Sequence, residues 1–134
     1  MNAPSRRWRR PEPFATRLAR VAEEEVEKVR RRLPAALAER ARGLPVICQD
    51  RPEPGLIDDD IDPDTLGLFV GPAVDEDPGA DPIPPGIILF LGNIWDYAMD
   101  DEHAFRSEVR TTFLHELGHY LGLGEDGLRE RDLE

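Results

Sequence analysis

His115-Glu116-Leu117-Gly118-His119-Tyr120-Leu121-Gly122-Leu123-Gly124-Glu125 reads H-E-x-x-H-x-x-G-x-x-E. On a helix, residues four apart lie one turn above each other, so both imidazoles can reach one metal ion. Glu116, beside the first histidine, is placed to face a water on that ion. Gly122 and Gly124 let the backbone turn sharply out of the helix. Glu125, or Asp126 next to it, can then return to the metal as a third ligand. Two histidines and a carboxylate leave one tetrahedral position open, the pattern of a catalytic rather than a structural zinc site. The five-residue core of this motif is common in unrelated helices. This copy is set apart by its glycines, by the carboxylate ten residues after the first histidine, and by holding two of the chain's three histidines.

Working outward, Asp100 or Asp101 suits the N-cap of the motif helix. Phe105, Val109, Phe113, Leu117 and Leu121 form its apolar stripe. His115 is two residues from both Phe113 and Leu117, about 200° around the helix from each, so the metal face points away from that stripe. Leu114 and Tyr120 flank the histidines. Near the start of the chain, Phe14, Leu18, Ala22, Val26, Val29 and Leu33 recur at helical spacing, with Glu24–Lys28 and Glu27–Arg31 as exposed i,i+4 pairs. Pro34 ends this helix and suits the first turn of another, with Leu37 and Ala41 inward and Gly43 as its stop. Val46–Gln49, Leu66–Val70 and Ile87–Leu91 read as strands, the last of them central. The acid- and proline-rich segments 50–64 and 72–86 read as surface loops. Within the first, Asp60-x-Asp62-x-Asp64 lacks the glycine and the glutamate of a calcium loop. Trp95, Tyr97 and Met99 read as a satellite core. The expectation is an α+β domain over residues 13–134. In it, a small mixed sheet of three or four strands packs against the N-terminal helices and the C-terminal motif helix.

Charge is unevenly spread over the 134 residues. Residues 1–42 carry 12 basic and 6 acidic groups, and residues 43–134 carry 5 and 22, for a net charge of −11. Residues 1–12 read as a basic, disordered arm, and the basic helix is expected to lie against the acidic remainder. Arg6, Arg7, Arg9 and Arg10 invite a nucleic-acid reading, but no aromatic stacking platform or nucleic-acid motif accompanies them. No apolar run is long enough to span a membrane, and the basic start lacks the apolar region of a signal peptide. With a single cysteine, Cys48, the expected compartment is the cytoplasm. Cys48 itself reads as core filler.

The motif is similar to the extended zinc motif of the zincin metallopeptidases. It more closely resembles that of a family of small bacterial minimal zincin-like proteins, H-E-x-x-H-x-x-G-x-x-D. Leu66-Gly-Leu-Phe-Val-Gly71, Ile87-Ile-Leu-Phe90 and Glu108-Val-Arg-Thr-Thr-Phe-Leu-His115 are also similar, and the resemblance covers most of residues 14–128. There are two departures: Glu125 stands where the family has aspartate, and no methionine follows the motif. The resemblance implies a zincin-like fold, zinc on His115, His119 and Glu125 (with Asp126 the alternative), Glu116 as general base, and a peptide or protein substrate. Tyr120, Tyr97 and His103 are candidates for a second electrophile or for lining a cleft. Leu66–Val70 or Ile87–Leu91 could pair with a peptide by strand addition. A metal-binding module without hydrolytic activity is the alternative reading.

Overall fold

The structure is a computed structural model that describes residues 11–54, 61–73 and 84–123. Helix α1 spans Phe14–Arg32 and buries Leu18, Val21, Ala22, Val26 and Val29 along one face. Leu33 is extended (φ −65°, ψ 137°), as a residue before proline tends to be, and this ends the helix. Helix α2, Ala35–Arg40, follows Pro34 and buries Leu37. Strand β1 is Val46–Gln49, β2 is Gly67–Val70 and β3 is Gly86–Phe90. Helix α3, Leu91–Tyr97, starts directly from β3, and helix α4, Glu102–Leu121, closes the described chain.

The strands form one mixed sheet in the order β1-β3-β2. β1 runs parallel to β3, with Val46 opposite Ile87 and Cys48 opposite Leu89. β2 runs antiparallel to β3, with Leu68 opposite Ile88. Alternation decides which face is covered. Ile87 and Leu89 are fully buried under the helices, while Ile88 is half-buried and Ile47 exposed on the other face. The core joins these strand residues to Val21, Ala22 and Val26 of α1, Ile94 of α3, and Phe105, Val109, Phe113 and Leu117 of α4.

α1 and α4 lie side by side and run in the same direction. Arg17 pairs with Glu102 near their N-termini, Glu25 with Arg106 and Arg110 further along, and Arg30 stacks over Phe113 at 5.4 Å further still. Glu25 is fully buried and accepts from Lys28 (3.0 Å), Arg106 (2.8 Å) and Arg110. Burial alone would raise its pKa. Hydrogen bonds from the three cations outweigh that and hold the carboxyl at about 2, against an ordinary 4.5.

Several expectations are corrected. Lys28 pairs with Glu25 rather than Glu24, which takes Arg20 and Arg106 instead; Glu27–Arg31 is as expected at 3.3 Å. Charge relief between α1 and α4 runs both ways: Arg17 of the basic helix meets Glu102, as expected, while Glu24 and Glu25 take arginines of α4. Phe14 is half-exposed and meets Trp95 edge-on rather than entering the core. The third strand ends at Phe90, one residue early, because Leu91 opens α3. Trp95 packs on Phe105, but Tyr97 and Met99 face solvent, so the satellite core holds only in part. Asp101, one of the two expected candidates, caps α4 by accepting from the N–H groups of His103 and Ala104. Of the expected arm, Glu12 is described and its carboxylate takes both Nε and Nη2 of Arg20.

β2 is fixed in place from two sides. Buried Asn93 of α3 donates to the carbonyls of Pro63 and Thr65 just ahead of the strand, and its own oxygen accepts from Arg51. On the other side, Gly67 lies so close to α4 that a Cβ there would sit 2.6 Å from Thr112 Cγ2 and 3.4 Å from Glu116 Cγ.

Two outcomes follow from these contacts. Glu25→Ala leaves three cations without their common acceptor and should lower the unfolding free energy by on the order of 3 kcal/mol in denaturant titration at neutral pH. A carboxylate held below its unfolded-state value stabilises the fold above that value and loses the contribution as pH falls through the folded one. The gap between wild type and Glu25→Gln should therefore narrow as pH drops from about 4.5 towards about 2. Gly67→Ala should cost about 1–3 kcal/mol by overpacking. Thr112→Ser removes the methyl that is struck, so the double variant should recover most of that loss; equal stability of the single and double variants would refute the contact.

Candidate metal centre

α4 carries the motif on its last two turns, and its end is built as the sequence requires. Gly122 adopts φ 72°, ψ 24°, a left-handed conformation that suits a residue without Cβ. The N–H of Leu123 then bonds the carbonyl of Gly118 at 2.7 Å, and that of Gly122 the carbonyl of His119 at 3.2 Å. This is the paired pattern of a Schellman stop. It turns the chain out of the helix one residue after Leu121. Glu125 and Asp126, the two candidates for third ligand, lie outside the described residues, as do Gly124 and the terminal segment from Gly127.

His115 and His119 are both exposed, with ring centroids 4.8 Å apart and planes 53° from each other. Imidazoles on successive turns at this separation suit two ligands of one ion. The donor set, two imidazoles with room for an oxygen ligand, fits zinc. Among the described residues no group of three or more metal-ligating side chains comes together.

Glu116, the next residue after His115, is turned about 100° around the helix towards β2. It is buried, and its Oε1 accepts from the backbone N–H of Phe69 at 3.0 Å. The register explains why that N–H is available. Leu66 accepts from Phe90 across the sheet and Leu68 is paired with Ile88, so the even-numbered residues of β2 bond inward. Phe69 then presents its N–H at the open edge, as alternation in an antiparallel pair dictates. Tyr120, one turn after Glu116, rests its ring against that of Phe69 at 5.7 Å. Thr112, Glu116 and Tyr120 thus form an i, i+4 stripe facing β2, next to the stripe that carries the two histidines.

The structure brings His115, Glu116, His119 and Tyr120 together and leaves two expected candidates apart. His103 is in the first turn of α4, twelve residues before His115, about 18 Å along the helix axis. Tyr97 closes α3 at that same end. The sequence reading missed Phe69, Gly67 and Thr112. A signal was available: Gly67 and Phe69 are alternate positions on one strand, and Thr112 leads the i, i+4 series through Glu116. β3 is paired on both sides and cannot receive a peptide strand, which leaves β2 of the two strands considered. Cys48 is half-buried, and burial together with nearby Glu23 pushes its thiol up to about 11, so it is no nucleophile at neutral pH. Asp62 and Asp64 are exposed, and Asp60 lies outside the described residues. No helix among the described residues is long and apolar enough to cross a membrane.

A comparison with curated proteins finds no match. A family model described as zincin-like metallopeptidase matches residues 41–134, which takes in all three strands, α3, α4 and the whole motif. The match spans more than half of the sequence, and the chain belongs to the zincin-like metallopeptidase family.

Proposed function

We propose that this protein is a zinc-dependent hydrolase of peptide bonds, with His115 and His119 as metal ligands, Glu125 or Asp126 as the third, and Glu116 as general base. The observation that carries the reading is the placement of Glu116. It stands beside two exposed imidazoles with one carboxylate oxygen held by the Phe69 N–H. A zinc ion bound there supplies a Lewis acid that polarises a carbonyl and acidifies water. Fixing one oxygen of Glu116 sets its rotamer and leaves lone pairs on the other for a proton. Glu116 takes that proton from the attacking water as the oxygen joins the carbonyl carbon. It then returns the proton to the departing nitrogen as the C–N bond breaks.

A peptide or protein substrate would lie along the outer edge of β2 and pair by strand addition with edge groups other than the Phe69 N–H, which Glu116 holds. Tyr120, packed on Phe69, would border that edge. The reading places the protein in the cytoplasm, where a lone cysteine stays reduced.

Glu116→Gln keeps an oxygen that can accept from Phe69 and removes only the base. It should retain stoichiometric zinc by elemental analysis and lose about 10²–10⁴-fold in kcat/KM on a cleaved peptide. His115→Ala should lose the metal and the activity together. Full activity in Glu116→Gln would refute the hydrolytic role. Bound zinc without turnover of any member of a broad peptide library would favour the metal-binding module instead.

A further inference from the structure

Four large apolar side chains are exposed among the described residues, and three of them stand on segments that meet at Trp95: Phe14 touches its ring, and Tyr97 and Met99 follow it by two and four residues. Phe14 is 53% exposed, Tyr97 65% and Met99 86%; the fourth is Ile47. Phe14 opens α1, and its ring meets Trp95 of α3 edge-on at 5.1 Å. The N–H groups of Met99 and Asp100 close back onto the carbonyls of Asp96 and Trp95. The turn that displays Met99 is thus tied to the helix that carries Trp95 and Tyr97. Both residues of that turn have positive φ, 56° and 61°. This region disfavours a residue such as methionine, and strain of this kind persists where the surroundings or a function require it. Nearby, Arg51 offsets Asp96 and Arg17 offsets Glu102, whereas Asp100 and Asp101 are exposed with no cation among the described residues.

The chain itself holds a segment of matching chemistry. Residues 1–10, Met-Asn-Ala-Pro-Ser-Arg-Arg-Trp-Arg-Arg, contain four arginines, one tryptophan and no acid. They lead into Phe14, which already stands in the patch. Trp8 is six residues before Phe14, within reach of about 20 Å of extended chain. Tethering at that distance gives an effective concentration on the order of millimolar. We propose that the Phe14–Tyr97–Met99 patch is a docking site for a basic, aromatic-bearing segment and that its occupant is this chain's own residues 1–10. Trp8 lies against Met99 and Tyr97, where ring and thioether attract, and the flanking arginines face Asp100 and Asp101. The patch is at the end of α4 opposite the histidines, and residues 1–40 lie outside the family match. The docking is therefore independent of the peptidase reading.

The chain has two methionines, so methyl-labelled protein gives two methionine signals, with Met99 assigned by Met99→Leu. In the full chain the Met99 methyl should be shifted upfield by the indole ring. It should return to an ordinary position in Trp8→Ala and on removal of residues 1–10. A synthetic peptide of residues 1–10 added to the truncated protein should restore the shift saturably, and less so at high salt. An unchanged Met99 signal in Trp8→Ala and in the truncated form overturns the proposal. A shift that fades on dilution of the full chain also overturns it, because the arm would then occupy a second copy. Urea unfolding of both altered proteins near the wild-type midpoint shows that the signal reports docking rather than loss of fold.

Discussion

A buried carboxylate needs hydrogen bonds, and the architecture around the motif follows from where Glu116 finds one. Helix α4 saturates its own backbone, so the donor must come from another element. It comes from β2, through the N–H of Phe69, which the register leaves at the open edge beside the motif. That bond requires the strand to pack tightly on the helix. Gly67 permits the approach, Asn93 and Arg51 anchor the segment leading into it, and Phe69 and Tyr120 close ring on ring beside it. The orientation of the histidine pair follows: with Glu116 and Tyr120 committed to β2 and Phe113 and Leu117 to the core, His115 and His119 can only face solvent.

The second buried carboxylate, Glu25, differs from Glu116 in what holds it. It is surrounded by three cationic donors, its pKa is driven to about 2, and it is ionised at any physiological pH. Glu116 has one neutral backbone donor among the described residues. The two residues clamp opposite sides of α4, Glu25 joining it to α1 and Glu116 joining it to β2. The helix is thus fixed in rotation while the face that carries His115 and His119 stays open to solvent.

Much of this was legible in the sequence because it rests on local rules. The period of Phe105, Val109, Phe113, Leu117 and Leu121 marked the buried stripe of α4. Gly122 marked its stop, Pro34 the break after α1, and the three apolar runs the strands. What was hidden depends on pairings distant in sequence. Phe69 is 47 residues from Glu116 and Arg110 is 85 from Glu25, so no periodicity announces either bond. The start of α3 was obscured for a different reason: Leu91 continues the apolar run of β3 in sequence, and only the buried side chains of Ile94 and Asn93 reveal that the chain has changed to helix. Tyr97 and Met99 depart from the expected satellite core because apolarity alone does not decide burial.

The family match begins at Ala41, yet the core does not. Phe105, Val109 and Phe113 are wholly buried only because Val21, Ala22, Val26 and Val29 of α1 complete the layer against them. A three-stranded sheet with one covered face and two helices would leave that side of α4 open to water. Fully burying each of its large apolar side chains is worth about 1.5–3 kcal/mol, and a domain's net stability is only about 5–15 kcal/mol. Residues outside the match are therefore part of what holds the motif helix, and Glu25, the most strongly anchored charge between α1 and α4, is among them. The smallest unit that packs the motif helix on all its apolar sides therefore includes the N-terminal helix.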